Sequence, residues 1–269
     1  ISLSGRNVFQ SGTNTAEYTI TSEGSKGIIE YGDTDFYNQL RTTAINSLLE
    51  QNYQDIFKKT YADVTKTAQD NHGLFSSAVN NINLTTAFST SELSQSMQMI
   101  AKTIAARDTL GMSRQTFFVS FGGWDHHDEV LNAQNAMLGV VSKALGEFDA
   151  AMTELGVQNN VTTFTISDFA RTLTSNGNGT DHAWGGNVMV MGGDVKGKEI
   201  YGAYPSLALN TSLDIGDGVL IPSMSTDEYF AELALWFGVQ PTDLPVIFPN
   251  IGKFYSHSSG MQPVGFMTI

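Results

Sequence analysis

The sequence predicts an α/β fold, a parallel-rich sheet flanked by helices, built as a single domain over residues 1–269. Three observations carry that expectation. The run Thr116-Phe117-Phe118-Val119-Ser120-Phe121 has the texture of a buried strand and is closed by Gly122-Gly123. A helical stretch follows, with Leu138, Val141, Leu145, Phe148, Met152 and Leu155 on one face and Gly156 as its stop. A second apolar run, Val161 to Ser167, then completes strand, helix, strand, and a crossover of this length is the signature of a parallel βαβ unit.

The other elements are placed around that unit. Residues 1–30 alternate apolar and polar with glycine punctuation, as at Val8–Phe9 and from Tyr18 to Ile20, and read as a short β region. Residues 35–111 read as helical. Phe36, Leu40, Ile45, Leu48, Leu49, Ile56, Phe57 and Val64 keep near-helical spacing, with His72-Gly73 as the expected break. The segment 80–90 is loop-like. Ser89-Thr90-Ser91-Glu92 matches a capping box, ahead of a helix with Leu93, Met97, Ile100 and Ile104 on its apolar face and Gly111 at its end. Residues 114–269 form the α/β core, with a third strand from Asn187 to Met191. A second capping box, Ser225-Thr226-Asp227-Glu228, opens a helix carrying Tyr229, Leu233, Trp236 and Phe237 before Gly238. Pro241, Pro245 and Pro249 suggest an extended tail.

Composition limits function before any motif is considered. With 14 Lys and Arg against 27 Asp and Glu the net charge is −13, and the pI is near 4.6. Such a field repels phosphate backbones, and no basic patch offsets it, so no nucleic-acid partner is expected. No run reaches the ~18 apolar residues of a membrane span. The absence of Cys removes disulfides, thiolate metal sites and cysteine nucleophiles together. Only 15% of residues are charged, against about 25% in an average soluble protein. Polarity comes instead from Asn, Ser, Thr and Gln, which points to a periplasmic or secreted setting. No G-x-S-x-G, P-loop or G-x-G-x-x-G occurs, which argues against a standard serine hydrolase, nucleotide hydrolase or dinucleotide enzyme.

The histidines carry the chemical signal. Three of the five fall in two acidic segments placed after predicted strands: Trp124-Asp125-His126-His127-Asp128, and Ser167-Asp168-Phe169-Ala170-Arg171 continuing to Asp181-His182. Ligands of open α/β sheets bind beyond the carboxyl ends of the strands, where such loops converge. Asp and neutral His suit Zn²⁺ or a similar divalent ion, and a D-x-H loop can turn both side chains inward. The plainer alternatives are a turn Asp, a surface imidazole and, for Asp168, a cap on the following turn. Arg171 reads equally as an ion-pair partner of Asp168 or as a clamp on phosphate, sulfate or carboxylate. Trp124 and Trp184 read as core, and His126 as a support residue or an exposed one. Asn176-Gly177-Asn178-Gly179-Thr180-Asp181 has oxygen side chains at alternate positions, but Asn187 stands where a Ca²⁺ loop needs Glu, so a turn is expected. His72 and His257 read as solvated.

At these residues the sequence resembles the bacterial family called domain of unknown function 1501. The family pairs a Gly-Gly-Phe/Trp-Asp-Thr-His motif with a later Ser-Glu-Phe-Gly-Arg-Thr and an Asp-His-Trp-like element. Here they stand as Gly122-Gly123-Trp124-Asp125-His126-His127, Ser167-Asp168-Phe169-Ala170-Arg171-Thr172 and Asp181-His182-Ala183-Trp184. The resemblance spans nearly the whole chain, including Ile1-Ser2-Leu3-Ser4-Gly5, which looks like the middle of a longer family member. That family is similar in turn to the alkaline phosphatase and sulfatase superfamily, whose parallel sheet carries one or two divalent metals. The resemblance implies an alkaline-phosphatase-like core in which Asp125, His127 and His182 hold one metal and Asp168 is shared with a second. The metal expected is Zn²⁺, with Mn²⁺ or Ca²⁺ as alternatives. Two departures stand out. Phe169 occupies a position where the superfamily has His, and the amino-terminal Gly-Gly-Asp-Gly strand with its nucleophile is absent, so an upstream segment or separate chain is expected to complete the sheet.

The resulting expectation is a metal-dependent hydrolase-like protein acting on a phosphate or sulfate ester, with Arg171 balancing charge in the transition state. The alternative is a secreted, non-catalytic structural or binding protein that keeps the fold.

Overall fold

Asp35 opens the first helix of the computed structural model, which describes every residue except 14 and 16. Its carboxylate accepts the backbone N–H groups of Tyr37 and Asn38, two of the donors that a helix start leaves free. Asp55 does the same for Phe57 and Lys58. The two helices are α1 (Phe36–Leu49) and α2 (Ile56–Asn80). The expected break at His72-Gly73 does not occur. His72 is half-buried instead of solvated, with Ser25 Oγ 2.8 Å from its Nδ1. Gly27 lies so close over that ring that a Cβ would come within 2.4 Å of it, and α2 runs on through His72 and Gly73 to Asn80.

Two compact units divide the chain, the first comprising Ile1–Gly122 with Val140–Glu154 and the second Gly123–Gly139 with Leu155–Ile269. The first unit is mainly helical. Besides α1 and α2 it contains α3 (Glu92–Ala105) and the later part of α4 (Val130–Glu154). Leu93, Met97, Ile100 and Ile104 are all buried, as the spacing predicts. The capping box at Ser89 is not formed in the expected register. Ser91 is the N-cap, accepting from Ser94 N at 3.2 Å, and the Ser89 hydroxyl donates to Ser94 Oγ at 2.8 Å. Ile20, Phe75, Ala78, Val79, Met99 and Ala106 form the core. The loop before α3 is tied to α4, where the Glu154 carboxylate accepts Thr85 N at 2.6 Å and Thr86 N at 2.8 Å.

The expected parallel-rich, alkaline-phosphatase-like sheet is overturned. Among the described residues the named strands make two antiparallel two-stranded sheets, β1 (Thr162–Phe164) with β4 (Val190–Gly192), and β2 (Ala170–Ser175) with β3 (Thr180–Ala183). The run from Thr116 to Phe121 contributes only an isolated parallel bridge, Ser2 to Phe118. The reason lies in its hydrogen bonds. Leu3 N donates to Phe118 O, Phe118 N to Ile1 O and Ser120 N to the Ser4 hydroxyl, so the first residues of the chain take the ladder positions that a neighbouring strand would use. Ser2 also bridges Thr19, while Val8–Gln10 is a single 3₁₀ turn capped by Asn7 rather than a strand.

The second unit is organised by α5 (Thr226–Phe237). Its capping box forms as expected. The Ser225 hydroxyl accepts Glu228 N at 3.1 Å and Glu228 returns to Ser225 N at 3.0 Å, while Gly238 closes the helix in the left-handed region. Tyr229 and Leu233 pack with Phe266 and Met267. Burial pushes the Tyr229 phenol well above its ordinary pKa. Glu232 is fully buried, and its carboxylate accepts the backbone N–H groups of Val264, Gly265 and Met267. The proline-rich tail is not extended, since Pro241–Asp243 is a 3₁₀ turn and Leu244–Ile247 forms α6, each using a proline in the first turn, where its missing N–H costs nothing.

Candidate metal centre

The site lies entirely within the second unit and is built from a loop and a hairpin. The loop is 124–128, ahead of α4, and the hairpin joins β2 to β3 through residues 176–179. In that turn the Asn176 side chain accepts Gly179 N at 3.0 Å, and Asn176 N donates to Gly179 O at 3.1 Å. This is the turn expected in place of a Ca²⁺ loop. Thr180 N donates to His126 O at 3.2 Å, which docks the hairpin on the loop. Gly179 makes that approach possible, because a Cβ there would lie 2.2 Å from the His127 carbonyl carbon and 2.6 Å from Asp128 N.

Strand register then selects the side chains. Arg171 of β2 faces His182 of β3 across the ladder, and residues directly opposite share one sheet face. Both reach Asp125. His182 Nε2 lies 2.7 Å from Asp125 Oδ1, Arg171 Nη1 donates to that oxygen at 2.6 Å, and His127 Nε2 is 2.9 Å away. The hydrogen bond from His182, then that from Arg171, then the charges of both imidazoles hold the Asp125 carboxyl below its usual pKa. Asp125, His127 and His182 each offer one ligand atom, all within 4.8 Å of one another, and all three are solvent-exposed.

Each imidazole is steadied separately. His127 Nδ1 lies 3.1 Å from Asp181 Oδ1, and the His182 ring stacks on Phe169 at 4.4 Å and 23°. Phe169, the departure noted in the sequence, therefore packs against a candidate ligand. Arg171 is largely committed. Nε donates to Thr180 Oγ1 at 2.9 Å, and Nη2 donates to His126 O at 2.8 Å and also to Thr180 O.

Of the four residues expected to bind metal, Asp125, His127 and His182 come together. Asp168 is exposed in the β1–β2 segment and is not part of that group. Arg171 pairs with Asp125 instead of Asp168. Trp184 is 67% exposed rather than core. His126 is buried with its ring edge-on to Trp124 at 6.3 Å, and its Nε2 has no hydrogen-bond partner. Asp181, read from the sequence as part of the 176–181 turn and of the Asp181-His182 element but not as a site residue, also contacts the site. Its adjacency to His182 was the available signal.

The donor set fits a divalent ion. Two imidazole nitrogens and a carboxylate oxygen are the ligand types of open zinc sites, in which ligand atoms about 2.0–2.2 Å from the ion lie about 3.3 Å from one another. The separations of 2.7 and 2.9 Å from Asp125 Oδ1 would have to widen by roughly 0.4–0.6 Å.

A protein family with the description protein of unknown function (DUF1501) matches residues 30–218. The chain belongs to that family. The DUF1501 match covers α1 to α4, both hairpin strands and all of Asp125, His127, Asp168, Arg171 and His182. No curated protein and no solved structure matches the chain. No helix among the described residues is long and apolar enough to cross a membrane.

Proposed function

We propose that Asp125, His127 and His182 hold a divalent metal ion, most simply Zn²⁺, and that the centre serves hydrolysis of a phosphate or sulfate ester outside the cytoplasm. One observation carries the reading. Three donor atoms of the right chemistry, from a loop and a hairpin far apart in sequence, lie within 4.8 Å of one another at the surface. Three protein ligands leave coordination positions open, as catalytic sites require. A bound divalent ion would supply Lewis acidity toward an ester oxygen and a more acidic water. The chain's own part is to orient. Arg171 holds the Asp125 carboxylate, and with most of its donors spent it serves that carboxylate more than a substrate anion. The composition supports the periplasmic or secreted setting.

The test uses the full chain with Zn²⁺ or Mn²⁺ and aryl phosphate and aryl sulfate substrates. Turnover that chelation removes and His127→Ala abolishes supports the reading. No saturable metal binding, and no change in melting temperature on chelation, overturns it.

A second reading, a non-catalytic binding or structural protein, is favoured by one specific observation. Asp125 Oδ1 is already met by Arg171, His127 and His182, so the cluster is electrostatically satisfied as an ion-pair hub. This reading expects no ester hydrolysis at any pH with either metal.

A further inference from the structure

We infer that Asp181 is a positioning residue of this centre, holding His127 by Nδ1 so that Nε2 is presented to the ion. The inference rests on the metal reading above and adds a residue to it.

His127 lies between two carboxylates, with Nε2 2.9 Å from Asp125 Oδ1 and Nδ1 3.1 Å from Asp181 Oδ1. Only Asp125 belongs to the group of ligand atoms that converge. A neutral imidazole carries one N–H. An acceptor fixed at Nδ1 selects the tautomer that bears its proton there, which frees the Nε2 lone pair to ligate, and a carboxylate in that place also makes the ring a stronger donor to the metal.

Asp181 is itself held in place. Asn176 Nδ2 donates to the same Oδ1 at 3.1 Å, and Asp181 N donates to Thr172 Oγ1 at 3.1 Å. The second imidazole is treated differently. His182 has no carboxylate at Nδ1 among the described residues, and its ring plane is set by the face of Phe169. Loss of the Asp181 carboxylate therefore acts on one ligand of the three. The Asp181 side chain is 61% exposed, and β3 is fixed by its pairing with β2 and by the close approach of Gly179, so the fold does not depend on that carboxylate.

The experiment titrates Co²⁺ into the full-length wild type, Asp181→Ala and Asp181→Asn, reading affinity and the visible absorption band, with Zn²⁺ as competitor and urea unfolding of the metal-free proteins alongside. Asp181→Ala is expected to bind about 10–100-fold more weakly, with a shifted band and an unchanged urea midpoint. Asp181→Asn, whose carbonyl still accepts from Nδ1–H, is expected to fall between the two and keeps the test valid if the alanine variant folds poorly. Wild-type affinity and an unshifted band in both variants would overturn the role of Asp181 while leaving the metal centre standing. Absence of saturable Co²⁺ and Zn²⁺ binding by the wild type would overturn the metal centre, and this role with it.

Discussion

Arg171 Nη1 donates to Asp125 Oδ1 at 2.6 Å, across 46 positions of sequence, and the same guanidinium bonds the His126 carbonyl and both oxygens of Thr180. One side chain thus fastens the loop to the hairpin and aims the carboxylate between two imidazoles. The arrangement needs a planar fork, since Lys presents a point charge that cannot reach four acceptors spread over two segments.

Arg171→Lys is accordingly expected to fold but to lose stability. Charge-assisted hydrogen bonds contribute about 1.5–3 kcal/mol each, and an ammonium recovers part of that, so a net loss of about 2 kcal/mol is expected. Urea unfolding measures it. A midpoint within error of the wild type would mean that the fork does not fasten the site.

Gly179→Ala tests the docking of the hairpin. The added methyl would meet backbone atoms of residues 127 and 128 at 2.2–2.6 Å, which no side-chain rotation relieves. The hairpin must then move away from the loop, at a cost of about 1–3 kcal/mol for overpacking, and His182 must withdraw from Asp125. Weakened metal binding together with a lowered unfolding midpoint is the expected pair of outcomes. A stable variant with unchanged Co²⁺ affinity would contradict this account.

The helical part of the chain was legible because it depends on local information. Leu93, Met97, Ile100 and Ile104 announce a buried face wherever the helix packs, and Ser225 with Glu228 forms a cap from four consecutive residues. The sheet was not legible. An apolar run such as Thr116–Phe121 says that a segment is half-buried and extended, but not which segment hydrogen-bonds to it, and here the chain's first residues take that place. Asp125, His127 and His182 do come together in space, though not for the reason the sequence offered. Their convergence was expected at the edge of a parallel sheet, and it arises from an antiparallel register that sets Arg171 opposite His182. Asp168 shares its residue type with Asp125 but lies just before β2, outside the register that sets Arg171 opposite His182. Such a difference is visible only in three dimensions.

Acid stability should depend on Glu154. Hydrogen bonds from Thr85 N, the Thr86 hydroxyl and Thr86 N lower its pKa from 4.5 to about 2. A folded pKa below the unfolded one means that the unfolded chain takes up the proton more readily, so the contribution is complete above about pH 4.5 and is lost as pH falls toward 2. Glu154→Gln removes this dependence. Its unfolding midpoint should vary less between pH 4.5 and 2 than that of the wild type, and parallel pH profiles for the two proteins would refute the assignment.

The most costly single change outside the metal centre is expected at Glu232. Its buried carboxylate accepts Val264 N at 2.9 Å, Gly265 N at 3.0 Å and Met267 N at 2.9 Å, which pins residues 264–267 to α5. Replacing it by Ala leaves three N–H groups short of an acceptor in a segment where Met267 is fully buried. Each unsatisfied buried donor costs about 1–3 kcal/mol, less whatever water entry restores, so a loss of about 3–5 kcal/mol is expected for Glu232→Ala. Glu232→Gln can keep its carbonyl where Oε2 accepts Val264 N and Gly265 N, leaving Met267 N to face the amide NH2, so it should recover part of that loss. Hydrogen exchange gives the local readout, with the amides of 264, 265 and 267 losing protection first. Retained protection at those amides in Glu232→Ala would show that the tail is held by the packing of Phe266 and Met267 against Tyr229 and Leu233 rather than by the carboxylate.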